Sequence, residues 1–351
     1  MVRFSDIIKK KETRHLTSGD SEERVYPEDS FRLSDSAILK AMADHTVAIE
    51  TSQDDNSEIE IETYYEKFFE RASEIEERIK GDHGISPSPI LSDLHYIIDK
   101  DIIDKLYEYA MTSKGTREDI PAHIIDVTFT CLKVGKGMDY DIKMLLRLGL
   151  AAFLENVGMY KIPDSILKSP KKLDDHEIML IKRHPEFSHD ILSRMGEKYN
   201  WLAEVAIQVH ERSDGSGYPM GLKGGAILEL ASVIGLVDSY IAMIKNRPYR
   251  EKFIQTEAVK SIIETSKGLF PPKIVKIFLN QISLFPINSF IKLNNGFIGR
   301  VTATDKNQPM RPTIELLYDG SGNKFDKPQI IQLSENLLLH IDSSVDIKDL
   351  L

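Results

Sequence analysis

The sequence predicts a mainly α chain: a helical bundle with an N-terminal helical extension and a small β-rich, barrel-like C-terminal appendage. Three observations lead there. From Glu58 to about Leu284, apolar residues recur every three to four positions, in segments divided by Gly and Pro. Beyond Leu284 the pattern changes to short runs rich in β-branched residues, separated by turn signals. Before about Ser57 the chain is polar and irregular.

Residues 1 to about 57, with patches such as Asp54-Asp55-Asn56-Ser57-Glu58, read as a loosely ordered lead-in. Over Glu58–Lys80, Ile61, Tyr64, Phe68, Ala72, Ile75 and Ile79 make one apolar stripe. That helix either packs on the body or serves dimerisation or signalling. The run Gly81-Asp82-His83-Gly84-Ile85-Ser86-Pro87-Ser88-Pro89 breaks the period and reads as a linker.

The helical body over 90–284 contains periodic segments at Ile120–Val134, Tyr140–Leu154, Asp174–Met195, Trp201–His210 and Ile227–Lys245. Pro185 suits the first turn of a new helix, so the Asp174–Met195 segment should break at His184. Strands are expected at Ser289–Leu293, Gly296–Thr304, Thr313–Tyr318 and Ile330–Leu333. Three regions result: 1–89, 90–284 and 285–351.

A chain of 351 residues can bury a core without a disulfide or metal staple. The single cysteine, Cys131, lies in an apolar stretch and fits a reducing cytoplasm. No segment approaches the roughly 20 apolar residues that span a bilayer, and Lys9-Lys10-Lys11 has no apolar core behind it. A cytoplasmic protein with no membrane partner is expected. With 55 acidic against 45 basic residues the net charge is −10, which argues against a nucleic-acid polymer as partner. A small anionic ligand needs only a few local cations.

The most informative run is Val209-His210-Glu211-Arg212-Ser213-Asp214-Gly215-Ser216-Gly217-Tyr218-Pro219-Met220-Gly221-Leu222-Lys223-Gly224, which joins a ligand-type histidine to a glycine-rich loop. Singly, each candidate has an ordinary reading. Asp119 completes a Thr116-x-x-Asp helix start as readily as it ligates a metal. His123, His184 and His210 suit half-buried structural roles, Asp238 suits a salt bridge inside a helix, and Asp214–Pro219 suits a tight turn.

Together these residues resemble the HD-GYP signature of the HD superfamily, strongly over about His123 to Arg250. That family comprises metal-dependent phosphodiesterases that open cyclic di-GMP. Paired metal ions held by His and carboxylate groups activate water and stabilise charge on phosphorus oxygens. The resemblance puts His123, His184, His210 and Asp238 at metal-ligand positions, and Asp119 where a further carboxylate ligand can stand. It assigns Gly215, Gly217, Tyr218 and Pro219 to the loop, and Arg247 and Arg250 to the dinucleotide phosphates. The C-terminal β-like part also resembles the tail of some members, including Arg300-Val301 and the Asn307-Gln308-Pro309 turn.

The family's His-Asp pair should follow Ala151-Ala152-Phe153-Leu154, where this chain has Glu155 and Asn156. A glutamate can bind a metal, but a neutral amide is a poor bridge between two dications. Met159 stands where many members carry a phosphate-side lysine, and Val209 stands where another ligand can occur. The altered pair leaves no assignable catalytic residues. It implies one divalent ion, such as iron or manganese, rather than a two-metal centre.

Three functions are consistent with this reading. The first is a degenerate HD-GYP protein that binds cyclic di-GMP, a related dinucleotide or a signalling protein, with lost or weak hydrolysis. The second is an active phosphodiesterase that uses Glu155 in a non-standard site. The third is a structural interaction hub.

Overall fold

The computed structural model describes residues 55–112, 119–245, 255–282, 285, 287–304, 308 and 311–345. The helices are α1 (Asp55–Lys80), α2 (Ser88–Asp99), α3 (Ile103–Thr112), α4 (Ile120–Gly137), α5 (Ile142–Leu154), α6 (Asp164–Leu167), α7 (Asp175–Ile181) and α8 (His184–Ser193). They continue as α9 (Asn200–Gln208), α10 (Glu229–Ile244), α11 (Gln255–Thr265) and α12 (Pro272–Gln281). Five strands follow: β1 (Phe290–Leu293), β2 (Ile298–Ala303), β3 (Thr313–Tyr318), β4 (Lys324–Gln332) and β5 (Ile341–Val345).

α1 is a packing element. Its buried stripe is Ile61, Tyr65, Phe68, Ala72, Ile75 and Ile79, all part of the same core as the rest of the bundle. Phe68 meets Phe129 of α4 edge-on at 5.1 Å and Phe153 of α5 at 6.0 Å. Tyr64, expected in the stripe, lies beside it and stacks on Tyr96 of α2 at 4.5 Å, while Tyr65 turns inward. Burying a Phe of this kind stabilises by roughly 1.5–3 kcal/mol, so α1 is integral to the helical body.

α4 runs through the middle, against α1, α3, α5, α10 and α12. Several helices around the site have a local reason to start where they do. The Asp141 side chain accepts from Met144 N at 2.7 Å and caps α5. Asp174 and Glu177 form a reciprocal capping box on α7, with both bonds at 2.8 Å. The break expected at His184 falls at Lys182–Arg183, so that His184 is the first residue of α8 and Pro185 lies in its first turn.

The β-rich part is an open antiparallel sheet ordered β4-β3-β2-β1-β5, which corrects the barrel-like expectation. Among the described residues, β4 and β5 are edge strands and do not pair with each other. One face buries Ile291, Leu293, Val301, Ile314, Leu316 and Leu333 around Phe285, a core separate from that of the helices. β4 is longer than the Ile330–Leu333 segment expected, and β5 was not foreseen. Asp342, Ser343 and Ser344 give β5 no β-branched run; it forms by pairing with β1. Among the described residues no helix is long and apolar enough to cross a membrane.

Candidate metal centre

Five of the ligand-type residues converge from α4, α8, α10 and two turns. α5 ends at Leu154, and the chain tightens into a 3₁₀ turn over Glu155–Lys161, which buries Glu155 and Asn156. Asn156 Nδ2 donates to Glu155 Oε1 at 2.5 Å. The other carboxylate oxygen, Glu155 Oε2, is buried with no hydrogen-bond partner. His184 opens α8 with Nδ1 2.8 Å from Ile181 O, which fixes its ring and turns Nε2 toward His210. The two Nε2 atoms are 2.8 Å apart, with the rings edge to face at 4.7 Å.

One ligand atom each from Glu155, His184 and His210 lies within 4.8 Å of the others. His123 and Asp238 form a separate neighbouring pair, with His123 Nε2 2.7 Å from Asp238 Oδ1. Asp119 is not in the cluster. Its exposed side chain accepts from Ala122 N at 3.0 Å and caps α4, whereas its expected helix-start partner Thr116 lies outside the described residues.

Burial, and after it the nearby Asp238 carboxylate, pushes the Glu155 carboxyl well above the usual carboxylate range. Burial, reinforced by His184, holds the His210 imidazole well below the usual histidine range. The cluster therefore disfavours its own charged forms, and a cation among them offsets the repulsion and gives the orphaned Oε2 a partner. Two imidazoles and a carboxylate suit a borderline divalent ion such as iron, manganese or zinc. The donor set and the unpartnered oxygen fit one ion. When bound, such an ion supplies Lewis-acid polarisation of a phosphoryl oxygen.

The glycine-rich loop is moored by its own signature. Glu211 is buried, and its carboxylate accepts from Met220 N at 2.6 Å, Gly221 N at 3.1 Å and Leu222 N at 2.9 Å. Arg212 lies under the loop, donating to Val209 O, Glu211 O and Ser239 Oγ and stacking over Phe270. Gly217 passes so close that a Cβ there would lie 2.4 Å from Arg212 N, which only glycine permits. This anchoring lays the Tyr218 ring flat on His210, with centroids 5.0 Å apart and planes 7° from parallel. Gly215 holds the turn before it at φ +83°, and Pro219 follows in the same loop. Arg247 and Arg250 lie outside the described residues.

Sequence reasoning missed Asp126 and Lys245. Asp126 is fully buried one turn after His123, its carboxyl raised to about 6 by burial against the pull of Lys245 Nζ at 2.5 Å. The signal was available: an acid inside the apolar run Ile124-Ile125-Asp126-Val127 has to find a cation. Met159 is half-buried on the 3₁₀ turn, and the Val209 side chain is buried in the core.

Residues 101–274 match the model of the HD domain, and residues 290–351 match that of a KOW domain associated with HD domains. A cyclic di-GMP phosphodiesterase of Pseudomonas aeruginosa is 26% identical over 211 residues, covering 60% of this chain and 51% of that protein. The cyclic di-GMP phosphodiesterase response regulator RpfG of Xanthomonas campestris is 37% identical over 131 residues, 37% of this chain and 35% of that one. A cyclic di-GMP phosphodiesterase of Thermotoga maritima is 35% identical over 148 residues, 42% of this chain and 40% of that one. This chain thus spans about half or less of the length of these relatives. An HDG"Y"P protein from Bdellovibrio bacteriovorus has a similar fold, with a TM-score of 0.53 at 17% identity over 70% of this chain and 76% of that one. The helical fold, the moored Gly-Tyr-Pro loop and the clustered histidines agree with these matches, and the chain belongs to the HD-GYP family of HD-domain proteins.

Proposed function

We propose that this chain binds cyclic di-GMP at a pocket holding a single divalent ion, and that its hydrolysis is lost or weak. The division of the ligand-type residues carries this reading. Glu155, His184 and His210 face one point, while His123 and Asp238 are bonded to each other. Beside Glu155 stands Asn156, whose amide is spent on that carboxylate. An amide offers no anionic oxygen to share between two dications, so paired ions lack their bridge. The residues present do three things: His184 and His210 fix an ion, Glu155 balances its charge, and Tyr218 covers the His210 face.

A second reading rests on Glu155 Oε2, a buried acceptor without a partner that suits a working one-metal phosphodiesterase. Elemental analysis of anaerobically purified protein, with turnover of cyclic di-GMP under manganese, separates the two. One ion per chain, binding of cyclic di-GMP and turnover that appears only in the Glu155→His/Asn156→Asp double variant support the first. Comparable turnover by the wild type, abolished in His184→Ala, supports the second. Two ions per wild-type chain would overturn the single-ion reading.

A further inference from the structure

We infer that Lys182 is the cation of a second phosphate subsite, which selects ligands carrying two phosphodiesters over those carrying one; this rests on the cyclic di-GMP reading. Lys182 occupies the tight turn between α7 and α8, two residues before His184. Its ammonium lies 5.4 Å from the centre of the Tyr218 ring, whose plane is stacked on His210. The charge is therefore no farther from the His210 ring than these two ring distances together.

Three other cations around the site are already committed. Arg183 pairs with Glu186 and covers Phe187. Arg212 is buried and bonded under the loop, and Lys245 is held by Asp126. Among the described residues no carboxylate pairs with Lys182. A half-buried ammonium held by an aromatic face, without a counter-ion and beside a cluster that favours a cation of its own, is arranged to receive an anion.

A cyclic dinucleotide presents two phosphodiesters on one rigid ring. With one at the Glu155–His184–His210 cluster, the other would reach Lys182 across the Tyr218 ring that joins the two. Met159, half-buried on the 3₁₀ turn, brings no charge, so Lys182 supplies on α8's side of the pocket what that position does not.

The test measures calorimetric affinities of manganese-loaded wild type, Lys182→Gln and Lys182→Arg for cyclic di-GMP and for 3′,5′-cyclic GMP, which has one phosphodiester. Lys182→Gln should lose about tenfold in cyclic di-GMP affinity, as for one charge-assisted contact. Lys182→Arg should recover most of that loss, and added salt should narrow the gap. Cyclic GMP affinity and the manganese isotherm should not move.

Where the wild type binds cyclic di-GMP, equal affinity of Lys182→Gln overturns the inference, as does an equal loss for both nucleotides. Inorganic pyrophosphate is the second probe. If the wild type ignores cyclic di-GMP yet binds pyrophosphate through Lys182, the ligand reading fails and the subsite stands. If Lys182→Gln binds pyrophosphate as the wild type does, or neither probe binds, the subsite falls.

Discussion

Replacing Gly158 by alanine should loosen the candidate metal centre without altering a ligand side chain. A Cβ at that position would lie 2.0 Å from His184 O, 2.5 Å from Ser188 N and 2.8 Å from Ser188 Oγ, where real contacts stay beyond 3.0 Å. The two shortest contacts are backbone atoms of α8, so no side-chain rotation relieves them. α8 must back away from the 3₁₀ turn by about 1 Å, stretching the 2.8 Å bond from Gly158 N to Ser188 Oγ. Overpacking of this kind costs about 2–3 kcal/mol, which lowers the melting temperature by roughly 4–12 °C in a domain of this size. Because Glu155 lies on the turn and His184 on α8, their spacing changes too, and manganese affinity should fall about 10–100-fold. Scanning calorimetry and manganese titration read both effects. Gly225→Ala is the control, since nothing lies within 4 Å of its added Cβ, and it should stay within about 0.5 kcal/mol of wild type. A Gly158→Ala protein that melts with the wild type and binds manganese equally would refute the account.

Two further outcomes are expected. Glu211→Ala strips three backbone donors of their acceptor and should cost about 3 kcal/mol or more. Amide exchange at Met220, Gly221 and Leu222 should accelerate sharply, and unchanged protection would show that another group holds the loop. Burial alone would raise the Asp104 carboxyl, but hydrogen bonds and charge from Lys133 and Lys136 outweigh it and hold it at about 2. A carboxyl lowered on folding stabilises above its ordinary range and loses that contribution as pH falls through the folded value. Asp104→Asn should therefore be less stable than wild type at neutral pH, with the gap closing between about pH 4 and pH 2. Urea midpoints across that range test this, and a gap independent of pH contradicts the ion-pair origin.

The sequence by itself determined the helical body, four of the five strands and the residues of the cluster. These depend on local signals: the three-to-four-residue apolar period, turn residues between short strands, and a motif whose members are recognisable one by one. Even the α7–α8 break was legible, because Pro185 tolerates a first turn and little else. Tertiary structure alone decided how the ligand-type residues divide. Glu155, His184 and His210 are separated along the chain and meet only when the 3₁₀ turn packs on α8, while Asp119 turns to its cap and His123 to Asp238. It also decided what Asn156 and Glu211 do, since an amide or carboxylate takes its partner from whatever folding brings within reach. β5 exists because β1 offered an edge to pair with, and the sheet stays open because β4 and β5 end on opposite sides of it. Periodicity reports which face a residue shares; only packing brings distant faces together.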